Sequence, residues 1–172
     1  MSDERTSVTL TVNGRKETGY AAPRLLLSDF LRQQLGYTGV HVGCEHGVCG
    51  ACTVLLDGVP VRSCLMFAVQ LDGASVTTIE GVAGQERMHP VQEAFKANHG
   101  LQCGFCTPGM VLTAIEFLER NPNPDAEAVR EAMSGNLCRC TGYEGIVAAV
   151  LDAAVTMKQT EHNDKPNREN DA

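Results

Sequence analysis

The protein has 172 residues, a formal net charge of −7 and no tryptophan, and 43% of its residues are hydrophobic. A chain of this length holds one large domain or two small ones, with a mostly aliphatic core. The acidic balance argues against a nucleic-acid-binding surface, which would need clustered lysine and arginine side chains.

Eight cysteines are a high number for a chain of this size. They would suggest disulfides in a secreted protein, but residues 1–10 carry no signal-peptide pattern. No apolar run approaches the ~20 residues that a membrane-spanning helix needs. We therefore expect a cytoplasmic protein without a membrane span, whose closely spaced cysteines act as ligands or catalysts.

The first predicted elements are a hairpin and a helix. Residues 7–12 alternate polar and apolar side chains and end at Asn13-Gly14, a strong signal for a hairpin turn. Residues 16–20 are expected to form the returning strand. Leucines and a phenylalanine at helical spacing then predict a helix over residues 23–35.

A glycine-rich loop carries the first group of cysteines. Cys44, Cys49 and Cys52 follow the spacing C-x4-C-x2-C, and Cys64 comes after the next predicted hairpin. This is the spacing of a plant-type ferredoxin loop, in which four thiolates hold a [2Fe–2S] cluster. The glycines allow the loop to wrap a cluster tightly. A zinc site and a disulfide framework are the alternatives, although zinc sites more often pair two C-x2-C units.

A second hairpin and a last strand complete the first half. Residues 53–56 and 59–63 are predicted strands on either side of Asp57-Gly58, and residues 74–79 form a further short strand. Two hairpins, one helix and one more strand describe a small α+β unit.

The pattern then changes to a period near 3.6, which indicates helices. Thr107 and Asp125 are expected to cap the second and third of them. The predicted helices cover residues 89–98, 108–121, 126–133 and 145–158. The predicted organisation is an α+β domain at 5–80, a connector at 81–87, a helical domain at 88–158 and a disordered tail at 159–172.

The second group of cysteines lies in the turns of the helical half. Cys103 and Cys106 form C-x2-C between the first two helices, and Cys138 and Cys140 form C-x-C between the last two. If the helical hairpins pack with their turns together, four thiolates meet near two helix N-termini, which stabilise an anionic cluster. A zinc site is an alternative, whereas a redox-active dithiol needs a βαβ context that this pattern lacks. Spacing alone leaves the identity of the metal open.

Four segments in this order make the chain resemble one family: GCEHGVCGACTV, VRSC, LQCGFCTPGM and SGNLCRCTGYEGIV. Over residues 5–158 it is similar to the small iron–sulfur subunit of molybdenum hydroxylases of the xanthine dehydrogenase and aerobic carbon monoxide dehydrogenase type. The resemblance implies a β-grasp, plant-type [2Fe–2S] ferredoxin domain followed by a four-helix bundle with a second [2Fe–2S] cluster.

The resemblance also implies a role for the cysteines and for one glutamine. Electrons would pass from a molybdopterin centre through both clusters to FAD, and the side-chain amide of Gln102 would contact the molybdopterin. The cluster nearer FAD would be held by Cys44, Cys49, Cys52 and Cys64, and the cluster nearer molybdopterin by Cys103, Cys106, Cys138 and Cys140.

The implied partners are a medium subunit with FAD and a large subunit with molybdopterin, assembled as a dimer of heterotrimers. The chain would be part of a molybdenum-dependent dehydrogenase without a substrate site of its own, since it has no recognisable general-base motif and no G-x-G-x-x-G fingerprint. His41 and His46 flank the first loop and are expected to be loop or surface residues. A free-standing ferredoxin-like carrier and a zinc-stabilised interaction module are the alternatives.

Overall fold

A computed structural model of the protein describes residues 5–84 and 87–163. The strands are β1 Thr6–Val12, β2 Arg15–Ala21, β3 Thr53–Leu56, β4 Val59–Arg62 and β5 Ser75–Thr77. The α-helices are α1 Leu27–Asp29, α2 Pro90–Ala97, α3 Thr107–Arg120, α4 Ala126–Met133 and α5 Glu144–Asn163. None of the helices in this part of the chain is both long enough and apolar enough to cross a membrane.

The strands form one sheet in the order β2-β1-β5-β3-β4, in which only the β1–β5 pair is parallel. Both predicted hairpin turns are present. Asn13 and Gly14 have φ values of 51° and 79°, and Asp57 and Gly58 have 48° and 84°, the positive values that tight hairpin turns require. A sheet followed by helices confirms the predicted α+β class.

The helix predicted over residues 23–35 is shorter than expected. Leu26 pairs with Phe67 as an isolated bridge, and the Leu27 N–H donates to the Met66 carbonyl at 2.7 Å, so this backbone is extended. The α-helix therefore begins at Leu27 and continues as a wider π-helical turn, Phe30–Gln34. Tertiary pairing delays the helix beyond the point where periodicity placed its start.

Capping side chains mark the starts of α2 and α4, whereas the start of α3 and the end of α5 differ from the prediction. His89 caps α2 in a reciprocal capping box, and the Asp125 carboxylate caps α4 by accepting from the Ala128 N–H at 2.8 Å. The predicted cap at Thr107 is wrong, because Cys106 occupies the N-cap position of α3. Helix α5 continues past the predicted end at residue 158, so residues 159–163 are helical, and residues 164–172 lie outside the described part.

Two apolar cores lie on either side of the first cysteine loop. One joins the inward side chains of the sheet to the short helix, and the other joins the four helices from α2 to α5. The largest fully buried side chains include Leu10, Leu27, Phe30, Phe95, Met110 and Ile146. Each half thus has its own core, and the halves meet at a junction of polar bonds and of apolar contacts, in which Ile79 packs against the helical core.

The junction is centred on the backbone of Gly50 in the first cysteine loop. The Asn136 side chain, only 2% exposed, donates to the Gly50 carbonyl at 3.1 Å and accepts from the Thr113 hydroxyl at 3.1 Å. A Cβ atom at Gly109 in α3 would overlap the same Gly50 carbonyl. Glycine at this point of the helix is what allows the loop and the helix to touch.

A second set of bonds extends the junction on the side of β4. Arg62 donates to the Thr53 hydroxyl at 2.6 Å and to the carbonyl of Gly135, which follows α4. The backbone N–H of Leu137 donates to the carbonyl of Cys49 at 2.9 Å. The segment after α4 is therefore bonded to the loop and the strand of the other half.

We expect Asn136→Ala to weaken this junction, since Gly50 and Thr113 both lose a buried hydrogen-bond partner. The free energy of unfolding should fall by about 1–3 kcal/mol in chemical denaturation of the native, metal-loaded chain. Ser134→Ala is the matched control, because the Ser134 hydroxyl bonds only within its own helix, to the Glu131 carbonyl. Equal stabilities of the two variants would contradict the role given to Asn136.

Candidate metal centres

The first four cysteines converge beneath the loop that precedes β3. Cys52 and Cys64 are buried, whereas Cys44 and Cys49 are partly exposed. The Cys44 sulfur accepts backbone N–H groups of Cys49 and His46, each at 3.3 Å, and these bonds lower the pKa of its thiol to about 6. Burial raises the pKa of the Cys64 thiol to about 11. The loop thus offers one thiolate that forms readily and one that a bound metal must deprotonate.

The second four cysteines meet where the two helical turns face each other. The sulfurs of Cys103 and Cys140 lie 3.5 Å apart at the surface, and Cys106 and Cys138 are buried behind them. Burial raises the pKa of the Cys106 thiol to about 12. The backbone N–H of Phe105 lowers the pKa of the Cys103 thiol, and contact with Cys103 raises the pKa of Cys140.

The pKa of the Cys138 thiol is lowered, whereas that of its buried neighbour Cys106 is raised. Burial acts to raise the pKa of the Cys138 thiol, but hydrogen bonds from the Thr141 hydroxyl and from nearby backbone N–H groups lower the pKa overall. Helix α3 begins directly after Cys106 and α5 shortly after Cys140. The positive ends of both helices are therefore close to this group, as expected from the sequence.

The thiols are arranged in pairs. Cys44 contacts Cys49, Cys64 contacts Cys52, Cys140 contacts Cys103 and Cys106 contacts Cys138. All eight are free thiols, and in the described ranges no three His, Cys, Asp or Glu side chains are grouped as around a single ion. A zinc site would gather four thiolates about one point, whereas the two irons of a [2Fe–2S] cluster share four cysteines between them. The donor set therefore fits two binuclear clusters.

A backbone hydrogen bond connects the two groups of thiols. The Cys49 carbonyl accepts the N–H of Leu137, and Leu137 is bonded covalently to Cys138. His41 adds a second link, since its ring stacks on Phe105 with centroids 4.9 Å apart and its Nδ1 lies 2.7 Å from the Phe105 carbonyl oxygen. His41 is a loop residue as expected, but its contact with the second cysteine motif depends on tertiary packing and has no signal in the sequence.

Gln102 lies at the exposed edge of the second group. Its side-chain amide donates to the carbonyl of Cys140 at 2.9 Å. This bond ties the C-x2-C turn to the C-x-C turn. The side-chain oxygen of Gln102 takes no part in it, and Gln102, Cys103 and Cys140 are all exposed residues.

Comparison with known proteins identifies two families of [2Fe–2S] domain in the chain. A family of 2Fe-2S iron-sulfur cluster binding domains matches residues 10–78, and a family of [2Fe-2S] binding domains matches residues 78–151. The two matches together cover both groups of cysteines. The chain thus contains two [2Fe–2S]-binding domains.

Relatives resemble the chain over most of its length. The small subunit of nicotine 6-hydroxylase from Paenarthrobacter nicotinovorans is 55% identical over 150 residues, covering 87% of this chain and 90% of the relative. The gamma subunit of caffeine dehydrogenase from a Pseudomonas species is 50% identical over 152 residues, with 87% and 91% covered. The solved structure of quinoline 2-oxidoreductase from Pseudomonas putida has a TM-score of 0.87 at 48% identity, covering 91% of this chain and 98% of that one.

Such identities over nearly complete chains, together with both domain matches, exceed what a shared fold alone produces. The presence of two [2Fe–2S]-binding domains, in this order, agrees with the resemblance noted in the sequence. The protein belongs to the family of small iron–sulfur subunits of molybdenum hydroxylases.

Proposed function

We propose that this chain conducts electrons within a molybdenum-dependent dehydrogenase, from a molybdopterin centre through two [2Fe–2S] clusters to FAD. The observation that carries the proposal is the hydrogen bond from the Leu137 N–H to the Cys49 carbonyl. Through this bond, the backbone path from Cys49 to Cys138 crosses one hydrogen bond and is otherwise covalent. Each bound cluster would supply a centre that accepts and releases one electron.

The ligand assignment follows the two groups of thiols. The cluster nearer FAD is held by Cys44, Cys49, Cys52 and Cys64, and the cluster nearer molybdopterin by Cys103, Cys106, Cys138 and Cys140. In each group hydrogen bonds lower the pKa of at least one thiol, Cys44 in the first and Cys103 in the second, which favours the thiolate that a metal requires. The protein folds around the sulfurs and keeps their separation fixed.

The finer architecture belongs to the same proposal. The five-stranded sheet with its short helix is a β-grasp ferredoxin domain, and α2 to α5 form a four-helix bundle with approximate twofold symmetry. The domains are 5–80 and 88–158, joined by 81–87. The two separate apolar cores and the contacts of α5 with both α2 and α4 support this division.

Each group of thiols has its own exposed apolar rim, which suits two different partner subunits. Val48 and Leu65, 63% and 59% exposed, flank the first loop, and this side faces the medium subunit with FAD. Phe105 and Leu137, 48% and 49% exposed, flank the second group, and this side faces the large subunit with molybdopterin. Exposed apolar side chains of this kind mark protein interfaces.

The assembly is a cytoplasmic dimer of heterotrimers. The names of the relatives support a complex over a free-standing carrier, since one is a small subunit and another a gamma subunit. Within this complex Gln102 contacts the molybdopterin, because it is exposed and its amide bonds the Cys140 backbone, where Cys103 and Cys140 are exposed as well. A side-chain amide offers both donors and an acceptor to the edge of a pterin ring.

The first test of this proposal is metal stoichiometry. Two binuclear clusters require about four iron atoms and about four inorganic sulfides per chain, and the chain has no cysteine beyond the two groups. Elemental and sulfide analysis of the protein as isolated measures both numbers. About two irons per chain together with zinc would contradict the two-cluster assignment.

The second test separates the clusters. Cys49→Ser should abolish the paramagnetic signal of the first cluster after reduction and leave that of the second, since Cys106 and Cys138 belong to the helical core, which contains none of the first four cysteines. Cys106→Ser is the reciprocal control and should remove only the second signal. Simultaneous loss of both signals in a folded Cys49→Ser protein would show that the two halves do not bind their clusters independently.

The third test concerns Gln102. Gln102→Ala should leave iron content and both cluster spectra nearly unchanged, but slow the reduction of the clusters by substrate or weaken molybdopterin retention, by an amount equivalent to about 1–3 kcal/mol. Gln70→Ala, an exposed glutamine in the other half, is the control. Normal turnover and full molybdenum occupancy in Gln102→Ala would contradict a pterin contact.

A further inference from the structure

Cys138 lies in a closed ring of hydrogen bonds with Thr141 and Tyr143. The Thr141 hydroxyl is 3.3 Å from the Cys138 sulfur, and the Tyr143 N–H is 3.2 Å from the Thr141 hydroxyl oxygen. The Cys138 N–H is 3.0 Å from the Tyr143 hydroxyl oxygen. All three bonds lie within a turn of six residues, 138–143, at the second group of thiols.

The direction of each bond in this ring is fixed by chemistry. A backbone N–H can only donate, so the Thr141 and Tyr143 hydroxyl oxygens are acceptors for the two amides. A metal-bound thiolate sulfur can only accept, so the Thr141 hydroxyl proton must point to the Cys138 sulfur. The ring therefore positions the Thr141 hydroxyl as a hydrogen-bond donor to the Cys138 sulfur.

The turn is held in an unfavourable backbone conformation. Tyr143 has φ of +70°, and the preceding Gly142 has +66°. A bulky residue with positive φ is an outlier that persists only where its surroundings enforce it. Tyr143 takes part in the ring with both its backbone N–H and its hydroxyl, and these two bonds are what offset the strain.

The second group contains another cysteine followed by a threonine, and the hydroxyl of that threonine can be compared with the Thr141 hydroxyl. Thr107 follows Cys106 as Thr141 follows Cys140, yet the buried Thr107 hydroxyl has no hydrogen-bond partner among the described residues. Within residues 5–84 and 87–163, the Cys138 sulfur alone accepts from a side-chain hydroxyl, whereas the Cys44 sulfur accepts backbone N–H groups. Among the described residues, a hydroxyl donor is thus bonded to one cysteine sulfur, that of Cys138.

We propose, resting on the cluster assignment above, that Thr141 is a positioning residue whose hydroxyl raises the reduction potential of the second cluster through the Cys138 sulfur, and that Tyr143 holds it there. A reduced cluster carries one more negative charge than an oxidised one, so a donor on its sulfur stabilises the reduced form more. Cys138 is also the ligand next to Leu137, where the backbone link to Cys49 begins. The hydroxyl therefore favours arrival of the electron at this cluster, on the route toward the first.

The experiment is a redox titration of the full chain with its co-purifying subunits, in which paramagnetic resonance resolves the two clusters. Thr141→Val removes the hydroxyl at nearly constant volume. At the wild-type midpoint of the second cluster, the ratio of its reduced to oxidised form should fall about tenfold, which is a shift of about 59 mV for a one-electron couple. The first cluster should titrate as in the wild type and serves as the internal reference.

Two further variants distinguish a specific effect of the Thr141 hydroxyl on the reduction potential from a non-specific effect of a substitution near the second cluster. Thr141→Ser keeps the donor and should restore most of the wild-type ratio. Thr107→Val is the matched control, since it removes the hydroxyl of the other Cys-Thr pair, which bonds no cysteine sulfur among the described residues, and it should shift the second cluster less than Thr141→Val does. An unchanged second cluster in Thr141→Val, or an equal shift in Thr107→Val, would overturn the proposal.

Tyr143→Phe keeps the Thr141 hydroxyl but removes the bond that holds the turn against the Cys138 N–H. Its expected shift has the same sign as that of Thr141→Val and is smaller. If Thr141→Val does not retain the second cluster, wild-type potentials in Tyr143→Phe would overturn the proposal. A different result would refute the proposed function. If the wild-type protein lacks two iron–sulfur signals, the cluster assignment itself is wrong.

Discussion

The contact between Gly50 and Gly109 is the constraint on which the arrangement of this protein depends. The first cysteine loop lies directly against helix α3 at this point, and only the absence of side chains permits that approach. Asn136 fills the remaining space and satisfies the Gly50 carbonyl. The bond from the Leu137 N–H to the Cys49 carbonyl follows from this packing, so the junction that joins the halves also joins the ligand sets.

The second group of thiols is divided between the interior and the surface. Cys106 and Cys138 are buried against the helices, whereas Cys103 and Cys140 are exposed beside Gln102. Burial disfavours the charged form of a thiol, so the interior ligands depend on local hydrogen bonds and on the metal itself to become thiolates. The exposed pair leaves an edge of the bound centre close to the surface.

Local sequence rules accounted for the elements whose structure depends on neighbouring residues alone. Asn13-Gly14 and Asp57-Gly58 form the expected turns, and Asp125 caps its helix, since turn and cap chemistry acts over a few residues. The spacing of the cysteines likewise predicted two ligand groups, because loop length limits which sulfurs can converge. The resemblance to a known family added the identity of the clusters, which spacing in the second group left open.

Other features were decided by tertiary structure. The short helix begins at Leu27 because distant backbone at Met66 and Phe67 pairs with the residues before it. The pairing of Cys103 with Cys140, the stacking of His41 on Phe105 and the approach of Gly109 to the first loop all join residues far apart in the chain. The sequence determined which side chains could bind metal, since that is a property of residue type and local spacing. Their relative placement required the two cores to pack first, because each contact that links the halves becomes possible only when both surfaces exist.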